Sequence, residues 1–251
     1  MTTFATKPAT RGWQGAVLRL LGADDFLLTV TGVDKITDHY VRVYFDDGGL
    51  LAHKGVHPTM WIRLWFDNDG KPHQRAYTLV DPDPVAGTFA IEFAIHDGPA
   101  SQWAEFTFVG DSISSTVMGS SFALPTPAPD GWLIAGDAAS LPAINSLLEA
   151  IAVSDSPDVP VTVWMEYQHD DEYALPLRMR DDHRVEWVAR GTDGTAIVDA
   201  VRADVFDATG YHGWVATEAA STRAIATLLR RDYGLGRSAV TAQAYWIAGS
   251  I

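Results

Sequence analysis

The segment Arg75-Ala76-Tyr77-Thr78 places a planar fork of N–H donors, an aromatic ring and a hydroxyl within four residues. In an extended strand Arg75 and Tyr77 share a face. There the guanidinium can grip a pyrophosphate and the phenol ring can stack on another aromatic ring. Thr78 follows where the strand is expected to bend, so its hydroxyl or backbone amide can reach a ring heteroatom. By themselves these residues also suit an ordinary barrel strand. A second segment, His96-Asp97-Gly98-Pro99-Ala100-Ser101-Gln102-Trp103, reads as the start of a helix, because proline is favoured at the first helical position. The amides of Ala100, Ser101 and Gln102 then lack intrahelical acceptors, and with the Ser101 hydroxyl they make an anion site. A capped surface helix is the plainer alternative. Two phosphate-seeking segments joined by one strand argue for a bound phosphate ester more strongly than either does alone.

Composition limits what such a site can serve. The 251 residues include 18 basic and 32 acidic side chains, a formal charge of −14. That field repels phosphate backbones and anionic headgroups, so neither nucleic acid nor a membrane surface is an expected partner. No cysteine occurs, which removes disulfides, thiolate nucleophiles, iron–sulfur clusters and cysteine zinc sites. The first residues carry no apolar signal core, and no apolar run approaches the ~18 residues of a membrane span. A cytoplasmic setting is therefore expected. The fingerprints of Rossmann, P-loop, α/β-hydrolase and zincin sites are missing. His53 and His57 flank Gly55 and precede Pro58, so they read as loop histidines and no metal site is expected. Asp170-Asp171-Glu172 reads as a solvated loop rather than a calcium site, since no glycine-centred loop follows.

The elements that must position these residues change character along the chain. Residues 39–45, 60–66 and 88–95 alternate with period two, and 67–70 and 81–84 are turn-rich, which predicts an antiparallel sheet or barrel. On strand 60–66, Met60, Ile62, Leu64 and Phe66 fall on one face and Trp61, Arg63 and Trp65 on the exposed one. Prolines then interrupt residues 119–131, as a linker would. Beyond it, strands at 132–135, 160–166, 184–189, 213–217 and 239–246 alternate with helices around 141–151, 194–206 and 219–231. That order predicts a parallel sheet with ligands at the carboxyl ends of its strands. The expected organisation is a β-barrel domain at 1–122, a linker at 123–130 and an α/β domain at 131–251.

In order, Arg-x-Tyr-Thr, His-x-Gly-Pro-Ala-Ser-x-Trp, Gly136-Asp137 and Leu141-Pro142-Ala143-Ile144 together resemble the siderophore-interacting protein family. These are FAD-dependent ferric-siderophore reductases of the ferredoxin-reductase-like superfamily. Trp214-Val215-Ala216, Glu218-Ala219, Arg223, Leu229-Arg230-Arg231 and Tyr245-Trp246 extend the resemblance over roughly residues 13–246. It implies an FAD-binding barrel followed by an NAD(P)H-binding-like α/β domain. Arg75 would hold the FAD pyrophosphate, Tyr77 would pack on the isoalloxazine, and Thr78 would bond its reactive edge as the catalytic residue. His96, Gly98, Ala100 and Ser101 would cradle the phosphates. Asp137, Leu141, Pro142 and Glu218 would lie near the nicotinamide nucleotide.

The resemblance also implies reduction of a ferric siderophore, with electrons from NADPH or NADH. Arg63, between Trp61 and Trp65, is the candidate substrate contact, or else a surface residue covering apolar area with its stem. The chain departs from the family pattern at Ala138, Ala139, Ser140 and Thr217, which implies a nicotinamide donor held more weakly. Arg178, Arg180 and Arg190 lie near predicted strand ends and could bind a 2′-phosphate, a slight lean towards NADPH. The competing readings are a non-enzymatic flavin or ferric-chelate binder, a reductase fed by a ferredoxin-like partner, and a flavin reductase whose flavin leaves as a substrate.

Overall fold

The computed structural model describes residues 24–249. The opening of the expected barrel domain at residue 1, and of the family resemblance near residue 13, lies outside the described residues. The chain divides into two compact units that meet at Ala123 and Leu124. Among the described residues no helix is long and apolar enough to cross a membrane.

The first unit contains β1 (Asp24–Thr37), β2 (Tyr40–Asp46), α1 (Leu50–Lys54), β3 (Trp61–Asn68), β4 (Lys71–Thr78), β5 (Val80–Asp83), β6 (Thr88–Ala94), α2 (Pro99–Phe106) and β7 (Ser112–Val117). Its strands form one antiparallel sheet in the order β4-β3-β7-β1-β2-β6-β5. The two edge strands, β4 and β5, are separated in sequence by Leu79 alone, so the sheet has to curl until its edges approach each other. Leu79 helps the crossing, its amide donating to the Met60 carbonyl at 2.8 Å. The predicted apolar rows fill the inside of this half-barrel: Val43, Phe45, Ile62, Leu64 and Ile91 are fully buried, as is Leu28 of β1. Trp103 of α2 lies against this core, with ring centroids 5.8–6.3 Å from Phe66, Phe93 and Phe45.

Three details differ from the sequence expectation. Strands β1 and β7 carry no clean alternation. β1 is broken by register shifts at Val30/Gly32 and Lys35/Thr37. β7 buries the polar residues Ser115 and Thr116, whose hydroxyls donate to the Phe26 carbonyl and the Asp25 carboxylate. Residues 81–83 of the expected turn 81–84 instead belong to the short edge strand β5, with Asp81 in the left-handed region at φ 48°. The turn follows, where Asp83 Oδ1 accepts from the amides of Val85 and Ala86. Finally, Trp65 is not exposed. It is 3% accessible and its indole N–H donates to Thr116 Oγ1 at 2.9 Å.

The second unit runs β8 (Trp132–Asp137), α3 (Leu141–Ala152), β9 (Val161–Tyr167), β10 (Arg184–Ala189), α4 (Ala196–Ala203), β11 (His212–Ala216), α5 (Ala219–Arg231) and β12 (Val240–Ala242). All its strands are parallel, in the order β10-β9-β8-β11-β12. The strand order reverses direction between β8 and β11, and such a switch point is where open α/β sheets bind ligands. Gly136 lets α3 close on this point, because a Cβ there would come within 2.3 Å of Ser140 Oγ and 2.6 Å of Ile144 Cδ1. The expected strand 239–246 is regular only to Ala242. Its continuation still follows β11, with Tyr245 N–H donating to the Thr217 carbonyl and Trp246 bridging Glu218.

Candidate functional site

In the first unit the register pairs Arg75 with Leu64 and Tyr77 with Ile62, so both point to the core side of β4, as alternation predicts. The Tyr77 ring lies 4.6 Å from Phe93 and edge-on to Phe66 at 6.1 Å. Burial pushes its phenol well above the ordinary tyrosine range. Phe93 lies three residues before His96 on β6, so this ring contact joins the two phosphate-seeking segments. Arg75 donates to the Gln74 carbonyl at 3.1 Å, and no carboxylate pairs with it among the described residues. Its charge is felt nearby: burial, and then Arg75, hold His73 below the usual histidine range.

The helix start is as predicted. Pro99 opens α2 behind Gly98, and no side chain caps that end. Gly98 adopts φ 154° with its missing Cβ 3.4 Å from the His96 ring. Ser101 Oγ, however, faces the loop: it accepts the His96 amide at 3.1 Å, in a side chain only 2% exposed. His96 Nδ1 contacts the Asp97 carbonyl at 2.8 Å. Ala100 is buried, so its contribution to a ligand is its amide.

Thr78 pairs with Trp61 and therefore faces the other way, on the side of Trp61 and Arg63. It is buried, and its Oγ1 has no hydrogen-bond partner among the described residues; Gln74 Nε2, on the same face, is orphaned too. Arg63 lies 4.6 Å above the Trp61 ring and donates to the Met118 carbonyl at 2.8 Å. No carboxylate pairs with it among the described residues, and burial lowers its pKa from the usual arginine value. Among the described residues, a guanidinium without a carboxylate, an uncapped helix start and an orphaned hydroxyl are donors that would suit a flavin dinucleotide, cation and amides for the pyrophosphate and hydroxyl for the ring.

At the switch point of the second unit Asp137 is the hub. Its Oδ2 accepts from Thr217 Oγ1 at 2.8 Å and Trp246 Nε1 at 2.7 Å, and its Oδ1 accepts from the Ser140 amide at 3.1 Å. Burial raises its pKa against the pull of these donors. Thr217, one of the departures from the family pattern, is fully buried and donates to Asp137. Glu218 caps α5, accepting from the amides of Ala220 and Ser221. Burial works to raise its pKa, but those amides and that of Ala248 outweigh it and hold the carboxyl below its usual range. Leu141 is completely buried, so its side chain belongs to the core. Pro142 is buried beside it at the start of α3.

The arginines expected to await a phosphate are all held by carboxylates. Arg178 pairs with Glu149, Arg180 with Asp158 and Asp182, and Arg190 with Glu166 at 2.7 Å. Two acidic residues escaped the sequence reading. Glu166, at the end of β9, is 2% exposed; burial, opposed by Arg190, pushes its carboxyl up to about 7. Glu172, expected in a solvated loop, is buried in a 3-10 turn over Asp170–Ala174 and accepts the Gln168 amide. An acidic residue closing an apolar strand run was the available signal for Glu166. His53 contacts Asp24 and Phe26 while His57 contacts Ser120, so the two serve separate structural roles.

Comparison with known proteins agrees with this layout. The family described as "Siderophore-interacting FAD-binding domain" matches residues 26–119, and "Siderophore-interacting protein" matches 129–249. The mycobactin import ATP-binding/permease protein IrtA of Mycobacterium tuberculosis is 37% identical over 246 residues, 95% of this chain. The chain spans only 28% of that relative's length. The ferric vibriobactin reductase ViuB of Vibrio cholerae is 28% identical over 88% of this chain and 83% of its own. The solved structure of a siderophore utilization protein from T. fusca superposes with a TM-score of 0.78 at 23% identity, covering 91% of this chain and 95% of that one. The antiparallel half-barrel and the parallel sheet are thus the two parts of a known fold, and the chain belongs to the siderophore-interacting protein family, with an FAD-binding first domain.

Proposed function

We propose that the chain is an FAD-dependent oxidoreductase that reduces ferric siderophores, taking electrons from NADH or NADPH. The observation that carries this reading is the buried, partnerless hydroxyl of Thr78 at the end of the strand that also bears Arg75 and Tyr77. A buried polar atom left unpaired costs about 1–3 kcal/mol, and a flavin ring edge would satisfy it. Arg75 and the amides of Ala100 and Ser101 hold the pyrophosphate, while His96 and Gly98 shape the loop before them. Tyr77, braced by Phe93, packs on the ring, and Thr78 bonds the ring's reactive edge. FAD, when bound, supplies the chemistry: it takes up two electrons and releases them singly to ferric iron.

In the second unit, residues 131–251 after a linker at 123–130, Asp137 and Glu218 fix the loops at the switch point and α3 offers its N-terminal amides to the donor nucleotide. Leu141 and Pro142 set where that helix starts. Arg63 on Trp61 is the proposed contact for an anionic chelate, since among the described residues it is a cation without a carboxylate partner. One relative's name, ferric vibriobactin reductase, and another's, mycobactin import, support a ferric siderophore as the substrate class.

The spectrum of the purified protein tests the reading. Flavin that survives desalting, is bleached by a reductant and is restored by a ferric hydroxamate or catecholate is expected. Retained flavin that never passes electrons to iron would make the protein a binder. Flavin lost on desalting would make it a flavin reductase of another kind.

A further inference from the structure

Glu166 is the penultimate residue of β9 and stands opposite Asp137 of β8 in the sheet register. One carboxylate oxygen, Oε2, accepts from Arg190 at 2.7 Å. The other, Oε1, is buried and has no donor among the described residues. Arg190 follows β10, and its guanidinium lies 4.5 Å above the Trp246 ring. Taking the strands in chain order, β8 is the first of the sheet and β9 the second, beside it and away from the switch point. In open parallel sheets that bind dinucleotides, an acidic side chain at the end of the second strand receives the hydroxyls of the adenosine ribose.

Resting on the reading of this unit as the electron-donor domain, we propose that Glu166 sets donor specificity, accepting the ribose hydroxyls of NADH through Oε1 and excluding the 2′-phosphate of NADPH. The charges facing it explain the exclusion. Asp137 and Glu218 add negative charge around it, and Arg190 is the cation that pairs with it. Arg178 and Arg180 are engaged with carboxylates elsewhere. A neutral diol leaves the Glu166–Arg190 pair standing and supplies the missing donors. A 2′-phosphate has to draw Arg190 away, and so strands a buried carboxylate beside two others. The arginine that sequence alone suggests as a phosphate ligand is therefore the counter-ion of the residue that rejects the phosphate.

The test uses the full chain loaded with FAD. Calorimetry measures binding of ADP-ribose and of 2′-phospho-ADP-ribose, and anaerobic stopped-flow follows flavin bleaching by NADH and NADPH. The parent is expected to favour the form without phosphate at least 10-fold in both assays. Glu166→Gln is expected to reduce that ratio about 10-fold, and Glu166→Ser, which frees Arg190, to reverse it. A parent that binds both ADP-ribose forms alike, or prefers the phosphorylated one, overturns the proposal. So does a ratio unchanged in folded Glu166→Gln. If neither variant folds, the parent's ratio decides. A parent bleached by neither nucleotide, yet reoxidised by ferric chelate after chemical reduction, overturns this inference and leaves siderophore reduction standing.

Discussion

Replacing Arg75 with alanine separates cofactor binding from folding better than any other change in the first unit. Among the described residues the guanidinium makes one bond, to the Gln74 carbonyl at 3.1 Å, and has no carboxylate partner. Its removal should therefore lower the stability of the FAD-free protein by less than ~1 kcal/mol, the net value of one ordinary hydrogen bond. Toward the pyrophosphate, on the proposed reading, the same group would make a charge-assisted contact of ~1.5–3 kcal/mol, so its loss should weaken FAD binding roughly 10- to 150-fold. Part of that contact is Coulombic, so the parent's Kd should rise with salt more steeply than the variant's. Titrating FAD into the FAD-free protein at two salt concentrations, by flavin fluorescence, measures both effects. Thermal melting of the same samples gives the stability. An FAD affinity for Arg75→Ala within threefold of the parent, with the same salt dependence, would refute the assignment of Arg75 to the pyrophosphate.

Ser101→Ala should show the opposite balance: ~1–3 kcal/mol of stability lost, because the His96 amide loses its acceptor, but only ~0.5–1.5 kcal/mol of FAD binding, since the neighbouring amides remain. Thr78→Val keeps the shape and deletes an orphaned hydroxyl, so the FAD-free protein should melt no lower than the parent while flavin reoxidation by ferric chelate slows about 10-fold. An unchanged rate would remove Thr78 from the reacting edge. Trp246→Phe deletes the 2.7 Å indole donor to buried Asp137 and should cost ~1–3 kcal/mol in urea unfolding. Glu166 has a folded-state pKa raised from 4.5 to about 7, so the folded protein holds a proton the unfolded chain releases. Its contribution to stability is therefore lost as pH rises from about 4.5 to about 7. Glu166→Gln should gain stability relative to the parent between pH 5 and pH 8. A difference independent of pH would contradict that shift.

The residues whose local structure is legible in the sequence are those whose conformation depends on local pattern. Pro99 behind Gly98 dictates a helix start wherever the chain goes, and alternation alone puts Arg75 and Tyr77 on one face. Likewise α5 is legible at 219–231 in the sequence, while the capping role of Glu218 is seen only in the structure. What escaped depends on partners distant in sequence. β7 buries hydroxyls that find their acceptors on β1 and their donor in Trp65, so hydropathy could not flag it. Thr217 reads only as a departure from the family pattern until its hydroxyl is seen to donate a hydrogen bond to Asp137, 80 residues earlier. Arg178, Arg180 and Arg190 look like a phosphate site because sequence shows their charge and hides the carboxylates that hold them. Glu166 shows the converse: an acidic residue closing an apolar strand run is a signal in the sequence, but its meaning comes only from its place in the strand order.

The central claim is that this chain carries electrons to siderophore-bound ferric iron through a tightly held FAD. The most direct measurement reduces the purified flavin-loaded protein anaerobically with one equivalent of dithionite and mixes it with excess ferric siderophore. A ferrous chelator is present and the flavin absorbance is followed. Reoxidation of the flavin with two ferrous ions formed per flavin is the predicted result. Flavin that stays reduced in the presence of both ferric hydroxamate and ferric catecholate would contradict the account.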